Sequence, residues 1–108
     1  MVVDEQEVDQ LFHALADTTR RDILRRCAHE GPSVSRLADV YPMSFAAVQK
    51  HVAVLERAGL VSKERHGREQ LVRTEPDAVA HARSVLDELE LAWRGRVARM
   101  ADLLEHDG

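Results

Sequence analysis

The run "KERHGR" sets Lys63, Arg65, His66 and Arg68 around a glycine, between two short alternating stretches. Cations on a small turn suit phosphate oxygens or the narrow minor groove of duplex DNA. Just upstream, "SFAAVQK" carries Ser44, Phe45, Ala46, Ala47, Gln49 and Lys50. Small side chains let a helix backbone approach base edges in a major groove, where Gln or Lys can read an edge or hold a phosphate. Taken alone, the turn could also be an ordinary solvated one, and the small helix face could meet a protein. Other chemistry is poorly provided for. There is no Gly-rich phosphate loop, nucleophile motif or paired-carboxylate arrangement, and "DELE" at 87–90 reads as a solvated helix face. No enzymatic activity and no cofactor are expected.

Charge along the chain supports a nucleic-acid partner, although the total of −4 does not. Residues 18–74 hold eleven bases against six acids, whereas residues 1–17 hold five acids and no base. Residues 75–108 hold eight acids and four bases. A basic segment thus lies between acidic flanks. No apolar run reaches the roughly 20 residues that a bilayer requires, and the acidic N-terminus lacks a signal-peptide pattern. With Cys27 the only cysteine, no internal disulfide can form. A cytoplasmic location and no membrane partner are expected.

These residues must be positioned by helices and one hairpin, within a single domain spanning 1–108. Val8, Leu11, Phe12 and Leu15 recur at helical spacing and predict a helix over Glu5–Ala16. Asp17 then caps a second helix, "TTRRDILRRCAHE", with Ile23, Leu24 and Cys27 inward. Ser33 caps a third helix to Val40, with Val34, Leu37 and Ala38 inward. Ser44 caps a fourth, Phe45–Ala58, stopped by Gly59 and buried along Val48, Val52 and Leu55. His51, on its flank, reads as a packing or hydrogen-bonding histidine. "LVSKER", a turn at "HG", and "REQLVR" predict a hairpin. The helix-turn-helix would occupy about 33–58 and the hairpin about 60–74.

Pro76 and Asp77 open a last helical stretch, about 76–105. Val79, Ala82, Leu86, Leu89, Trp93, Val97, Met100 and Leu104 form a heptad-like seam, with one irregular step at Trp93–Val97. Gly95 sits inside that step, so one helix or two are both open. A small lone domain cannot cover this seam. It is expected to join Val8, Leu11 and Phe12 of the first helix in a homodimer interface.

Together, "ALADTTRRDIL" at 14–24, "SVSRLA" at 33–38, "SFAAVQKHVAVLERAGLV" at 44–61 and "HGREQLV" at 66–72 resemble the ArsR/SmtB bacterial repressors, from Leu11 to Leu104. The resemblance implies a mainly α fold with a small β-hairpin, a winged helix-turn-helix dimerised through its first and last helices. It implies a sequence-specific regulator of double-stranded DNA, a repressor acting on an inverted-repeat operator and relieved by a signal. The inducer is left unidentified. In that family the positions matching Phe45, Ala46, Gln49 and Lys50 face the groove. Phe45 and Ala46 replace polar residues here; Phe45 could touch a thymine methyl or fold inward beside Val48.

Metal-sensing relatives carry Cys-x-Cys at the start of the third helix, where this chain has Ser33 and Ser35. Hydroxyls are poor ligands for soft ions. The second metal site of the family needs Asp-x-His, and His81 falls two positions late after Asp77. His13, His29, His66 and His106 show no ligand spacing, so no metal is expected. Two readings stand beside the DNA-binding one: an adaptor module acting through protein partners, and a metal-responsive repressor with a non-standard site.

Overall fold

A computed structural model describes residues 4–106; residues 1–3 and 107–108, and the His106 side chain, lie outside it. Four helices begin at a side chain that accepts a hydrogen bond from an amide of the first turn. Asp4 caps α1 (Glu5–Leu15) and Asp17 caps α2 (Thr18–His29). Ser33 caps α3 (Val34–Val40) and Ser44 caps α4 (Phe45–Arg57). Each expected helix is present. The ends of α1, α2 and α4 fall one residue earlier than expected, since Ala16, Glu30 and Ala58 serve as C-caps. Gly59 then takes a φ of 74°, the left-handed conformation that closes a helix without a Cβ penalty.

Strands β1 (Val61–His66) and β2 (Glu69–Thr74) pair antiparallel, from Val61 opposite Thr74 to His66 opposite Glu69. The turn is therefore Gly67-Arg68, one residue later than "HG". Gly67 has a φ of 62°, and among the described residues no non-glycine residue has a positive φ. A positive φ at the first central residue alone is the type II′ pattern, which favours Gly there. This shift moves Arg68 from a strand start to the tip.

The core lies where α1–α4 and the hairpin meet. Leu11, Ile23, Leu37, Val48, Val52, Leu55, Leu60 and Val72 are fully buried. The hairpin is fastened to the helices by main-chain and side-chain bonds. The Val72 amide donates to the Pro32 carbonyl at 2.9 Å, and Thr74 Oγ1 donates to the Leu24 carbonyl at 2.7 Å. A single bridge between Ser33 and Leu71 extends that pairing.

The chain then forms one helix, α5 (Pro76–His106), with Pro76 at its first position. Gly95 does not break it. A helix of 31 residues is about 46 Å long, and it gives the molecule a long axis of 70 Å. Its attachment to the body differs from the expected seam. Ala78 and Val85 are the α5 residues buried in the core, one step round the helix from the seam. Leu86, Leu89, Trp93, Val97, Met100 and Leu104 are all exposed, Trp93 to 62%. Leu11 is a correction of the opposite kind. At 2% exposure it packs inside its own protomer and is not available to a second chain. On α1 it is Phe12 that faces solvent, with Val8 half-buried against the core.

Candidate nucleic-acid interface

Helix α4 turns Val48, Val52 and Leu55 inward, so the opposite side must face solvent. Ala46, Gln49 and Lys50 are exposed there, and Ala47 is half-buried. Ser44 is exposed, but its hydroxyl accepts the Ala47 amide at 3.1 Å, leaving its proton free to donate. Phe45 resolves outward. It is 46% exposed at the first position of α4 and does not fold beside Val48.

The wing cations are less equivalent than their spacing suggested. Strand alternation puts Lys63 and Arg65 on the face that carries Val61 into the core. Lys63 Nζ therefore lies 3.5 Å from Glu56 Oε1 at the end of α4, with only 26% of its side chain exposed. His66 Nε2 lies 3.2 Å from Glu64 Oε1 on the other face. Arg65 Nε donates to the Gly67 carbonyl at 3.3 Å, which leaves the guanidinium tip outward. Arg68, at the turn, has no hydrogen bond or ion pair from its side chain among the described residues.

Several bases of the positive segment have structural duties that charge counting could not show. Arg20 donates to the Ala14 and His13 carbonyls, and Arg21 donates to the Leu15 carbonyl, so both close the end of α1. Arg20 Nη1 also lies 3.3 Å from His51 Nδ1 on α4. The sequence offered no sign of this contact, because the two residues are 31 positions apart. Asp17, which accepts the Arg20 amide, is held below the usual carboxylate range chiefly by that bond. Arg26 pairs with Asp22 at 2.8 Å, and the Tyr41 hydroxyl donates to the same carboxylate at 2.5 Å.

The residues considered for sensing have other roles. Ser33 is buried, and its hydroxyl caps α3 by accepting the Arg36 amide at 3.1 Å. Burial pushes the Cys27 thiol up to about 11, so it is a core group and not a reactive thiolate. Among the described residues, no three His, Cys, Asp or Glu side chains are gathered so as to hold a metal ion. No helix among them is long and apolar enough to cross a membrane.

Three short helices, the third with a small and polar outer face, followed directly by an Arg-tipped hairpin, define a winged helix-turn-helix. Comparison with known proteins gives the family. A family described as a helix-turn-helix domain matches residues 15–64. The chain is 35% identical over 100 residues to the HTH-type transcriptional regulator Rv2034 of Mycobacterium tuberculosis, covering 93% of this chain and 91% of that one. An ArsR-like transcriptional regulator from Rhodococcus sp. RHA1 superimposes with a TM-score of 0.83 at 31% identity, over 93% of this chain and 92% of that one. A homodimeric winged helix-turn-helix DNA-binding domain from Mycobacterium bovis, described as a possible ArsR-family regulator, shares the fold at a TM-score of 0.66. Its identity is 23%, over 83% of this chain and 90% of that one. The chain belongs to the ArsR-like winged helix-turn-helix transcriptional regulators, and it is a DNA-binding regulator.

Proposed function

We propose that the protein is a homodimeric repressor that binds an inverted-repeat operator in double-stranded DNA, acting without catalysis, metal or cofactor. Each α4 enters a major groove, with Gln49 and Lys50 at base edges or adjoining phosphates. Ala46 and Ala47 allow the close approach, and Phe45 offers an apolar edge to a thymine methyl. The wing holds the flanking phosphates or minor groove, chiefly through Arg65 and Arg68. The carrying observation is the outward face of α4, where Ala46, Gln49 and Lys50 are exposed, followed in the chain by a hairpin with a cationic turn.

Dimerisation uses α5 with α1. Leu86, Leu89, Trp93, Val97, Met100 and Leu104 form an exposed apolar stripe on α5, with Phe12 as its α1 counterpart. The homodimeric Mycobacterium bovis fold relative agrees with this reading. Two-fold protein symmetry then requires two half-sites, their centres one helical turn, about 34–36 Å, or a multiple of it, apart. Footprinting of the DNA upstream of its own gene tests the proposal, because such repressors can control themselves. A protected inverted repeat is expected; one unpaired half-site at saturation contradicts it.

A further inference from the structure

Arg20 holds three elements at one point. Its amide donates to the Asp17 carboxylate at 3.0 Å, where α2 starts. Its guanidinium donates to the Ala14 carbonyl at 2.9 Å and the His13 carbonyl at 2.7 Å, at the end of α1. The remaining nitrogen, Nη1, lies 3.3 Å from His51 Nδ1 in the middle of α4. A guanidinium has no acceptor, so this contact is a hydrogen bond only where His51 Nδ1 carries no proton and accepts. Asp17 Oδ2 lies 3.9 Å from the same nitrogen, beyond hydrogen-bond length. Nδ1 thus faces a donor and an acceptor and can serve one of them. A neutral ring takes Arg20; a protonated ring must turn to Asp17.

We propose that Arg20 is a positioning residue for DNA reading: through neutral His51 it fixes α4 against the corner of α1 and α2, and protonation of His51 releases that setting. The proposal rests on α4 being the helix that reads DNA. His51 directly follows Gln49 and Lys50, so a changed contact at His51 displaces the side chains that face the groove. At its other end the guanidinium grips the carbonyl next to Phe12, so one group connects the proposed dimer helix to the reading helix. The main packing on α4 comes from α1, α2, α3 and β1. Among the described residues, the ion-pair and hydrogen-bond partners of the His51 ring nitrogens are Asp17, at the α2 N-cap, and Arg20, in its first turn. Helix α1 contributes its two carbonyls through Arg20, and among the described residues α3 and β1 contribute no ion-pair or hydrogen-bond partner to the ring.

The test uses the full chain and two duplexes, one selected from random sequence for tight binding and one scrambled from it. Anisotropy gives the affinity ratio between them from about pH 5 to pH 8, the range in which histidine titrates. His51→Gln keeps an acceptor that does not titrate. The wild type should lose discrimination as pH falls, on the order of tenfold, as expected for one hydrogen bond to a charged group. His51→Gln should hold its neutral-pH ratio throughout, and Arg20→Ala should show a reduced ratio at every pH. Light scattering and melting at each pH show whether the chains remain assembled and folded. Parallel pH profiles for wild type and His51→Gln overturn the proposal, as does an unchanged ratio in a folded Arg20→Ala. If Arg20→Ala does not fold, the wild-type and His51→Gln profiles decide. Gln49→Ala separates the two readings: if it too keeps full discrimination, the reading of α4 has failed; if it alone loses discrimination, the Arg20 proposal has failed.

Discussion

The Lys63 ammonium lies 3.5 Å from the Glu56 carboxylate, tying the first strand of the wing to the end of α4. A cation engaged in this way meets DNA less readily than one at the turn. Lys63→Ala should therefore lower affinity for random duplex less than Arg68→Ala does, and should leave the salt dependence nearly intact. Removing Arg68 should reduce the salt slope by about 0.9 for each phosphate that each subunit no longer neutralises. Equal slopes for the two variants would place Lys63 on the phosphates after all.

Leu11 and Leu89 should fail differently. Leu11 is buried within the protomer, so Leu11→Ala should cost about 2–5 kcal/mol of stability in denaturant unfolding. Leu89→Glu or Trp93→Glu places a charge in an exposed apolar stripe. Each should give monomers by light scattering while helical content persists, and should weaken operator binding. A wild type that is monomeric at micromolar concentration would remove the basis for this prediction.

Zn²⁺, Cd²⁺ and arsenite should leave DNA binding unaffected at the position of the family's thiolate site, because Ser33 stands there as a helix cap. Ser33→Ala should act on stability instead, at about 1 kcal/mol for the missing cap. A stoichiometric, micromolar-or-tighter metal response abolished by mutating His81 or His106 would overturn the expectation that no metal is sensed.

Cys27 should react with a thiol reagent at neutral pH only as fast as the protein opens, since its thiol is buried and pushed up to about 11. Rapid stoichiometric labelling of the native protein, with loss of DNA binding, would reveal a redox function that its burial opposes.

Local signals carry most of the fold. Apolar spacing and the caps Asp17, Ser33 and Ser44 mark three helix starts, because a cap and its first turn are contiguous in sequence. The hairpin turn differs from expectation by one residue, since "HG" and "GR" both place glycine in the bend and the type II′ geometry of Gly67 decides between them. Long-range partners are not readable. Glu56 claims Lys63, Arg20 reaches His51 across 31 positions, and α5 docks on the body through Ala78, Ala82 and Val85, of which only Ala82 belongs to the seam. Helical periodicity shows that α5 has an apolar side. It does not show which part of that side its own protomer covers, and the burial of Leu11 escapes sequence reading for the same reason.

Anisotropy binding of Gln49→Ala and Arg65→Ala to an operator duplex and a scrambled one, at several salt concentrations, tests the central claim most directly. That claim divides the labour: α4 reads base edges while the wing holds backbone. Gln49→Ala should lose on the order of 1–3 kcal/mol on the operator alone, with the salt slope unchanged. Arg65→Ala should weaken both duplexes almost equally and lower the slope by about 0.9 for each phosphate that each subunit no longer neutralises. If Arg65→Ala abolished discrimination while sparing the scrambled duplex, the roles of helix and wing would be reversed.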